Sequence, residues 1–405
     1  MFFEGVLHLS HNKPKLWTRD FIGVSVVHFL LLLVFYLLIV TIALYAVEEY
    51  GASTSEAGLV TGIFILGALA GRLVIGRTLD MIGRKRALVL GSALFVGMTA
   101  LYFLQLGLPF LMLNRFLHGA TLGIASTAAG TIAAQVIPHT RKGEGIGYFS
   151  MSATLGAAFG PFIGLMMSQW TGYNMIFAAC VAIAVSALAL STFVEVPALE
   201  RPPAGDVKSG FQLSNYIEAN AVPIAIVMFL VALSYSSVLS FINFYANDKG
   251  LVEAASFFFL VYAVVILLTR PFTGRIMDLY GANYIMYPAL ASLAGGLLLL
   301  SIADSGLGLL FAGALIGLGF GNMQSTTQAV AIKLTPPHRM GLATSTFFIA
   351  MDGGLGLGPY ILGFIIPFTG CSALYGLLGI AVFAMIVPYY FLHGRKERRH
   401  SASLH

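Results

Sequence analysis

The sequence predicts an all-α membrane protein whose twelve transmembrane helices form two pseudo-symmetric bundles of six. Composition is the first reason, because 58% of the 405 residues are hydrophobic and 10% are charged. These proportions are typical of polytopic membrane proteins and exclude an ordinary soluble domain. Repetition is the second reason, because identical residues recur 198 positions apart, as at Arg72 and Arg270 (270 minus 72). A constant offset of this kind indicates a duplicated unit.

Twelve apolar stretches are long enough to cross a bilayer core, which takes about 20 helical residues. The segments between them alternate between a basic set and a set in which Lys249 is the one cation. Because basic segments stay in the cytoplasm, we predict a multi-pass protein of the cell (cytoplasmic) membrane with both termini cytoplasmic. The predicted spans lie near residues 21–47, 55–75, 87–106, 109–133, 145–168, 174–195, 220–246, 253–274, 285–303, 307–332, 341–366 and 372–392.

A polar segment with several prolines separates the sixth span from the seventh, and it resists a regular fold. It marks the boundary between the two repeats. The predicted units are a cytoplasmic N-terminal segment at 1–20, an N-terminal six-helix bundle at 21–195, a cytoplasmic linker at 196–219, a C-terminal six-helix bundle at 220–392 and a basic cytoplasmic tail at 393–405.

The segment between the second and third spans combines spaced glycines, an aspartate and three consecutive cations, and a shorter copy follows the eighth span. It resembles the signature of the major facilitator superfamily, which implies a conformational latch on the cytoplasmic side. Asp80 is expected to pair with nearby arginines or to lie at the N-terminus of another helix, where the dipole favours an anion. The alternative is a basic loop that only sets topology. The predicted latch residues are Arg72, Gly76, Arg77, Asp80, Gly83, Arg84, Lys85, Arg86, Arg270, Gly274 and Asp278.

The fifth span carries regularly spaced glycines and a proline, and the eleventh span echoes them. The pattern resembles the element that marks exporters and antiporters in the superfamily, although Leu165 replaces its usual last glycine. Because glycines allow close helix packing, we expect these two spans to form a moving seam between the halves; ordinary helix packing is the alternative. The predicted element comprises Gly147, Gly156, Gly160, Pro161 and Gly164.

Three ionisable residues inside the spans are candidates for proton coupling. Asp352 is the one acid near the middle of a span, where a carboxyl group takes up a proton readily unless a cation pairs with it. Arg115 resembles the arginine that proton-coupled members use, with His118 in place of their glutamine. We expect Asp352 and Arg115 to share a wet cleft between the halves. Structural hydrogen bonding, a snorkelling Arg115 and a packing role for His118 are the alternatives.

In the superfamily that the sequence resembles, the first, fourth, seventh and tenth spans line the transport cavity. Polar residues on these otherwise apolar spans are expected to face it, although some of them will instead join helices. Aromatic and neutral hydrogen-bonding groups together suit an amphipathic substrate. The predicted cavity residues are His28, Tyr36, Tyr235, Asn243, Asn322, Gln324 and Gln328.

These features predict a secondary transporter, not an enzyme, that exports small amphipathic molecules by alternating access. We expect a proton gradient as the energy source, no cofactor and no metal. The expected partners are a small-molecule substrate, protons and the lipid bilayer, without nucleic acid, and a monomer is expected. The alternatives are a dedicated exporter of a metabolite, lipid or metal chelator, a nutrient/proton uptake symporter, and a receptor or scaffold that kept a transporter fold.

Overall fold

A computed structural model describes residues 14–197 and 215–397. Twelve long helices dominate this part of the chain, and each lies on one predicted span. They are α1 Arg19–Tyr50, α2 Thr54–Ile82, α3 Arg84–Ala100, α4 Leu108–Val136, α5 Lys142–Trp170, α6 Tyr173–Phe193, α7 Val222–Asp248, α8 Val252–Tyr280, α9 Asn283–Ile302, α10 Gly306–Lys333, α11 Met340–Gly363 and α12 Ile366–Glu397.

Eleven of these helices are long and apolar enough to cross a membrane. The remaining one, α4, spans 29 residues but carries Asn114, Arg115 and His118 within its first three turns. These side chains lower its hydropathy, and all three are buried inside the protein. The helix therefore crosses the membrane with its polar groups turned away from lipid, as membrane helices with ionisable residues must.

Local sequence signals explain where the first helices begin and end. The Thr18 side chain accepts a hydrogen bond of 3.2 Å from the Phe21 amide at the start of α1, and Gly51 ends the helix in the left-handed conformation with φ of 64°. A capping box formed by Ser53 and Glu56 starts α2. These devices satisfy the free amides and carbonyls at helix ends.

Two helices extend further than the apolar pattern predicted. Helix α2 continues to Ile82 and α8 to Tyr280, so Gly76, Arg77 and the backbone of Asp80 are helical and not part of a turn. The turn lies at Gly83, where φ is 97°, a conformation that favours glycine. The side chain of Asp80 lies outside the described part of the structure.

The last helix also runs past its predicted boundary at residue 392. It breaks at Gly370, where φ is 74°, and then continues to Glu397. The Glu397 carboxylate accepts hydrogen bonds from the amides of Ala282 (2.6 Å) and Asn283 (2.9 Å). The first residues of the predicted tail thus cap the start of α9. The predicted segments at 1–13, 198–214 and 398–405 lie outside the described residues.

The largest contacts between the two halves are made by two helix pairs that the repeat relates to one another, and smaller contacts join α5 to α10 and α4 to α11. Helix α2 packs against α11, and α5 packs against α8. Within the first half α1 packs on α5 and α2 on α4, while within the second half α7 packs on α11 and α8 on α10. This is the arrangement of two parallel repeats that leaves a cavity between the halves.

One membrane side holds the N-terminal segment, the linker ends and the start of α11, and we name it the linker side. Hydrogen bonds connect these parts: Arg141 donates to the carbonyl of Pro14 (2.9 Å), and Gln135 donates to the carbonyl of Pro197 (2.7 Å). On the same side the Arg84 guanidinium donates to the Pro337 carbonyl across the two halves at 2.6 Å. The hydrogen bonds and ion pairs that join the halves in the described residues lie toward this side.

Candidate functional site

A cavity of about 200 Å³ lies between the halves at mid-depth. Helices α1, α2, α4 and α5 of the first half and α7, α8, α10 and α11 of the second half contribute to its wall. Most of the wall is apolar, and aromatic rings supply much of it. The aromatic lining residues are Phe35, Tyr36, Phe64, Phe149, Tyr235, Tyr262, Phe320 and Phe348.

An ion pair between the two halves forms part of the cavity wall. Arg72 of α2 pairs through Nη1 with Asp352 of α11, and the side chains are 6% and 15% exposed. Arg72 also donates to the Phe348 carbonyl at 2.9 Å, and its guanidinium lies 4.6 Å from the centre of the Phe348 ring. Because the partners belong to different halves, the ion pair holds α2 against α11.

Arg115 lies elsewhere, so the expectation that it shares a cleft with Asp352 is wrong. Its Nε donates to the Val60 carbonyl at 3.2 Å and its Nη1 to the Tyr102 hydroxyl at 3.3 Å. The guanidinium stacks over Phe64 at 4.4 Å. Arg115 is completely buried inside the first half. The snorkelling alternative is also wrong in this structure.

His118 belongs to the same internal cluster and does not line the cavity. Its ring nitrogens are 3.1 Å from the Thr99 hydroxyl and 3.0 Å from the Tyr102 hydroxyl. The ring packs against Phe95 with centroids 4.3 Å apart. These contacts fit the alternative of a packing histidine.

Five of the predicted cavity residues do line the cavity: His28, Tyr36, Tyr235, Gln324 and Gln328. The imidazole Nδ1 of His28 lies 2.6 Å from the Ser152 hydroxyl, which fixes the ring against Phe149. The Tyr235 ring stacks on Phe320 with centroids 3.8 Å apart. These contacts hold the polar groups of the wall in place before any ligand arrives.

Asn322 does not line the cavity, which corrects the sequence-based expectation. Its amide donates to the Leu318 carbonyl at 2.8 Å and accepts from the Thr273 hydroxyl at 2.9 Å. It therefore joins α10 to α8, as polar groups between membrane helices commonly do. The side chain of Asn243 lies outside the described part of the structure.

The glycines of the predicted antiporter element pack within the first half and do not form the expected seam between halves. A Cβ added at Gly156, Gly160 or Gly164 would lie within 3.2 Å of atoms of α1. Pro161 lies inside α5, which continues to Trp170. Only Gly147 faces the other half, where a Cβ would lie 3.9 Å from the Arg270 carbonyl. The close approach of α5 to α1 gives these glycines their structural role.

Two other glycines do bring the halves together on the linker side. A Cβ at Gly274 of α8 would lie 2.5 Å from the Glu144 Cα of α5. A Cβ at Gly76 of α2 would lie 2.5 Å from the Ser345 Oγ of α11. Gly76 and Gly274 are repeat partners (274 minus 76 is 198). Each half therefore supplies one glycine to the contacts on the linker side.

Asp278 caps the N-terminus of α5. A helix N-terminus is one of the two environments expected for Asp80, the repeat partner of Asp278. Its carboxylate accepts hydrogen bonds from the amides of Gly143 (2.7 Å) and Glu144 (2.8 Å). The Lys333 Nζ lies 2.9 Å from the same carboxylate. The carboxylate therefore binds both the amides at the start of α5 and the lysine of α10, and so joins the two halves.

The remaining latch candidates lie around this closed side. Arg84 is buried and donates to the Gln135 side chain at 2.9 Å. Arg77 donates to the Tyr216 hydroxyl at 2.8 Å and so contacts the end of the linker. Lys85 and Arg86 are exposed at the start of α3. Arg270 of α8 is buried, and its backbone lies next to Gly147 of α5.

The pairing of Arg72 with Asp352 was missed by sequence reasoning, but depth along the helices could have found it. Arg72 lies ten residues before the end of α2 (82 minus 72) and Asp352 twelve after the start of α11 (352 minus 340). These separations correspond to depths of about 15 and 18 Å from the linker side. Arg115 lies 21 residues before the end of α4 (136 minus 115), or about 32 Å from that side.

The described residues contain no group of three or more His, Cys, Asp and Glu side chains that could hold a metal ion. A wall of aromatic rings with neutral hydrogen-bonding groups and one ion pair can accommodate an amphipathic molecule.

Comparison with known proteins identifies the family. A family model described as Major Facilitator Superfamily matches residues 24–359 and 252–404. The chain belongs to the Major Facilitator Superfamily. It is therefore a membrane transporter of this superfamily, with an all-helical fold.

Relatives and solved structures of this superfamily resemble the chain over nearly its whole length. An uncharacterized MFS-type transporter of Methanocaldococcus jannaschii is 25% identical over 352 residues, which cover 85% of this chain and 90% of the relative. The multi-drug resistance efflux pump PmrA homolog of Lactococcus lactis is 23% identical over 406 residues, covering 96% and 98%. The crystal structure of the human organic anion transporter MFSD10 (TETRAN) has a TM-score of 0.74 at 18% identity, covering 94% and 100%.

Proposed function

We propose that this transporter is a proton-coupled exporter of small amphipathic molecules that works by alternating access. The observation that carries the proposal is the ion pair between Arg72 and Asp352, which joins the halves in the wall of the cavity. A carboxylate that holds a moving interface together, and that a proton can neutralise, couples protonation to movement.

The linker side is proposed to face the cytoplasm. The described residues on this side include the cations Arg84, Lys85, Arg86, Arg141 and Arg339, and basic segments are retained in the cytoplasm. The halves are in contact there and share a cavity beyond. The structure then corresponds to a conformation that is closed on the cytoplasmic side.

In this scheme a proton reaches Asp352 from the outside and binds its carboxylate. The neutral acid no longer pairs with Arg72, so the contact between α2 and α11 weakens and the cytoplasmic side opens. Arg72 then gains water in place of its lost partner. On the cytoplasmic side the proton leaves, because the nearby guanidinium favours the ionised acid, and the ion pair forms again on closure.

Export, as opposed to uptake, has two supports. The glycine and proline pattern of α5 resembles the element of exporters and antiporters, and one full-length relative carries the name of an efflux pump. The aromatic wall with neutral polar groups suits an amphipathic drug or metabolite. A dedicated exporter of a metabolite, lipid or metal chelator would use the same wall and the same ion pair.

Everted membrane vesicles from a host without its own drug pumps test the proposal. Wild-type protein should accumulate at least one member of a panel of anionic, neutral and cationic amphipathic dyes when the vesicles are energised, and an uncoupler should abolish the accumulation. Asp352→Asn should reduce it to the level of empty vesicles, while Asp352→Glu should retain part of it. Asp304→Asn is the matched control, because that acid is 78% exposed and pairs with Lys249 on the other side of the protein.

Two results would contradict the proposal. Undiminished accumulation by Asp352→Asn would remove the proton-carrying role of this acid. Accumulation in right-side-out vesicles and none in everted ones would identify an uptake symporter instead.

A further inference from the structure

The second half contains a buried arginine that has no partner. Arg270 of α8 is 1% exposed. Its Nε, Nη1 and Nη2 atoms all lack a hydrogen-bond partner in the structure. A guanidinium at membrane depth costs several kcal/mol unless it is paired or reaches water. No hydrogen bond within the described residues offsets this cost, so all the donors of Arg270 remain available for a group from outside the chain.

The repeat shows what kind of group is missing from the second half. Arg270 is the repeat partner of Arg72, at an offset of 198 (270 minus 72). The acid that pairs with Arg72 is Asp352, whose own repeat partner is Thr154 (352 minus 198). Thr154 lines the cavity but carries no charge. The first arginine therefore has a carboxylate across the interface, whereas the equivalent position in the second case is the uncharged Thr154.

Arg270 lies next to the cavity and at an interface that opens. Tyr262, Ile266 and Arg270 are four residues apart on α8 and so share one face, and Tyr262 lines the cavity. The opposing helix is α5, where Gly147 approaches the Arg270 backbone. Toward the linker side the contact of Gly274 with Glu144 covers the arginine. Separation of α5 from α8 would expose Arg270 at the linker-side end of the cavity.

We propose that Arg270 binds the carboxylate of the transported molecule, so that the substrates are amphipathic organic acids. This inference rests on the proposed function and names its substrate class. A guanidinium binds a carboxylate through two parallel hydrogen bonds. The apolar body of the substrate would lie among the aromatic rings of the cavity. The bound acid supplies the second half with the negative charge that Asp352 supplies to the first half.

The charges at the interface agree with an anionic substrate. Arg72 and Arg270 are the two repeat-related arginines buried between the halves, and Asp352, the one acid among the residues that line the cavity, pairs with Arg72. A carboxylate bound to Arg270 makes the number of negative charges equal to the number of positive ones. A cationic substrate would instead add a third positive charge to a buried site, which is strongly unfavourable.

A matched pair of small aromatic molecules tests the inference: 2-naphthoate, which carries a carboxylate, and 2-naphthamide, which has the same shape without charge. Binding of each to the purified full-length protein in detergent is measured by isothermal titration. Wild-type protein should prefer the naphthoate by at least about tenfold, the size expected for a desolvated charge pair. Arg270→Gln should reduce this preference to about one, and Arg270→Lys should retain part of it. Lys249→Met, an exposed cation outside the cavity, should leave the preference unchanged.

The outcomes separate this inference from the proposed function. If wild-type protein does not bind naphthoate, or prefers it no more than naphthamide, the carboxylate site is overturned. An unchanged preference in Arg270→Gln would overturn it as well. In each of these cases the vesicle assay still decides on export, because energised accumulation of any dye supports export without a carboxylate site. Wild-type vesicles that accumulate no dye from the panel would overturn the proposed function itself.

Discussion

The two interfaces between the halves are related by the repeat, yet they are held by different forces. Helices α2 and α11 are joined by the ion pair of Arg72 with Asp352. Helices α5 and α8 are joined by the Asp278 carboxylate on backbone amides of α5 and by the close contact at Gly274. The first interface can be weakened by a single proton on a buried acid. The second depends largely on backbone geometry.

This difference shows how two interfaces that arose by duplication can take different roles in transport. Both halves keep an arginine at the same depth, but among the described residues only Arg72 of the first interface has an acid as its partner. Protonation then acts on one interface, and the other remains available for a ligand. The following variants test this comparison, and they are ordered by the size of their expected effects.

Arg72→Gln should have the largest effect on stability. It leaves Asp352 buried without its partner, which is expected to cost about 3–5 kcal/mol and to lower the thermal midpoint in detergent clearly. The double variant Arg72→Gln/Asp352→Asn should recover most of the loss, because no unpaired charge remains. A double variant that is as unstable as the single one would show that the ion pair is not what holds α2 to α11.

Gly274→Ala should be the next most damaging change. The new methyl group would lie 2.5 Å from the Glu144 Cα and 2.9 Å from the Gly143 carbonyl, both backbone atoms that cannot rotate away. Overpacking of this kind costs about 2–3 kcal/mol. Gly76→Ala is the matched variant, and it should cost about 1 kcal/mol because its neighbour is the Ser345 side chain. Equal losses in thermal midpoint would contradict the view that the α5·α8 interface depends more on backbone contact.

Arg270→Gln should act in the opposite direction to Arg72→Gln. It removes an unpaired buried charge, so the ligand-free protein is expected to gain about 1–2 kcal/mol and to show a higher thermal midpoint. Thr154→Asp, which offers an acid at the position equivalent to Asp352, should also raise the midpoint. A loss of stability in both variants would show that Arg270 already has a compensating environment.

Lys249→Met should have the smallest effect. The hydrogen bond from Lys249 to Asp304 raises the pKa of this lysine, but the pair is exposed and lies away from both interfaces. A raised pKa stabilises the fold below the usual lysine range, and this contribution is lost as the pH rises past the folded-state pKa. Since water screens the pair, thermal midpoints at pH 7 and in the alkaline range should match the wild type. A clear drop would show that an exposed ion pair within one half also contributes to stability.

Much of the fold follows from the sequence, because membrane helices are local features. Apolar stretches define all twelve helices, and the linker ends contact both halves, through Arg77 with Tyr216 and Arg339 with Glu218. The pattern placed the ends of α2 and α8 too early, because the apolar stretches end near Gly76 and Gly274 while the helices continue to Ile82 and Tyr280. In the structure the lack of a side chain at these glycines serves helix contact, which periodicity does not show.

The site was only partly accessible from the sequence, because partners across the interface depend on how two rigid halves meet. Asp352 was found from its charge at membrane depth, and His28, Tyr36 and Tyr235 from polarity on apolar spans. The cation beside Asp352 was misassigned to Arg115, since a pattern shows which residues are unusual but not which helix faces which. Asn322 was misassigned for the same reason, because a polar residue between helices and one that faces a cavity look alike in sequence.

The presence of two repeat-related arginines, Arg72 and Arg270, with the single acid Asp352 has an electrical consequence. If a carboxylate on Arg270 leaves the cell while one proton enters on Asp352, each cycle moves two elementary charges in the same direction. The membrane potential contributes about 2.3 kcal/mol per elementary charge at 100 mV, and therefore about 4.6 kcal/mol per cycle. Voltage alone would then drive this transport, even with no difference in pH across the membrane.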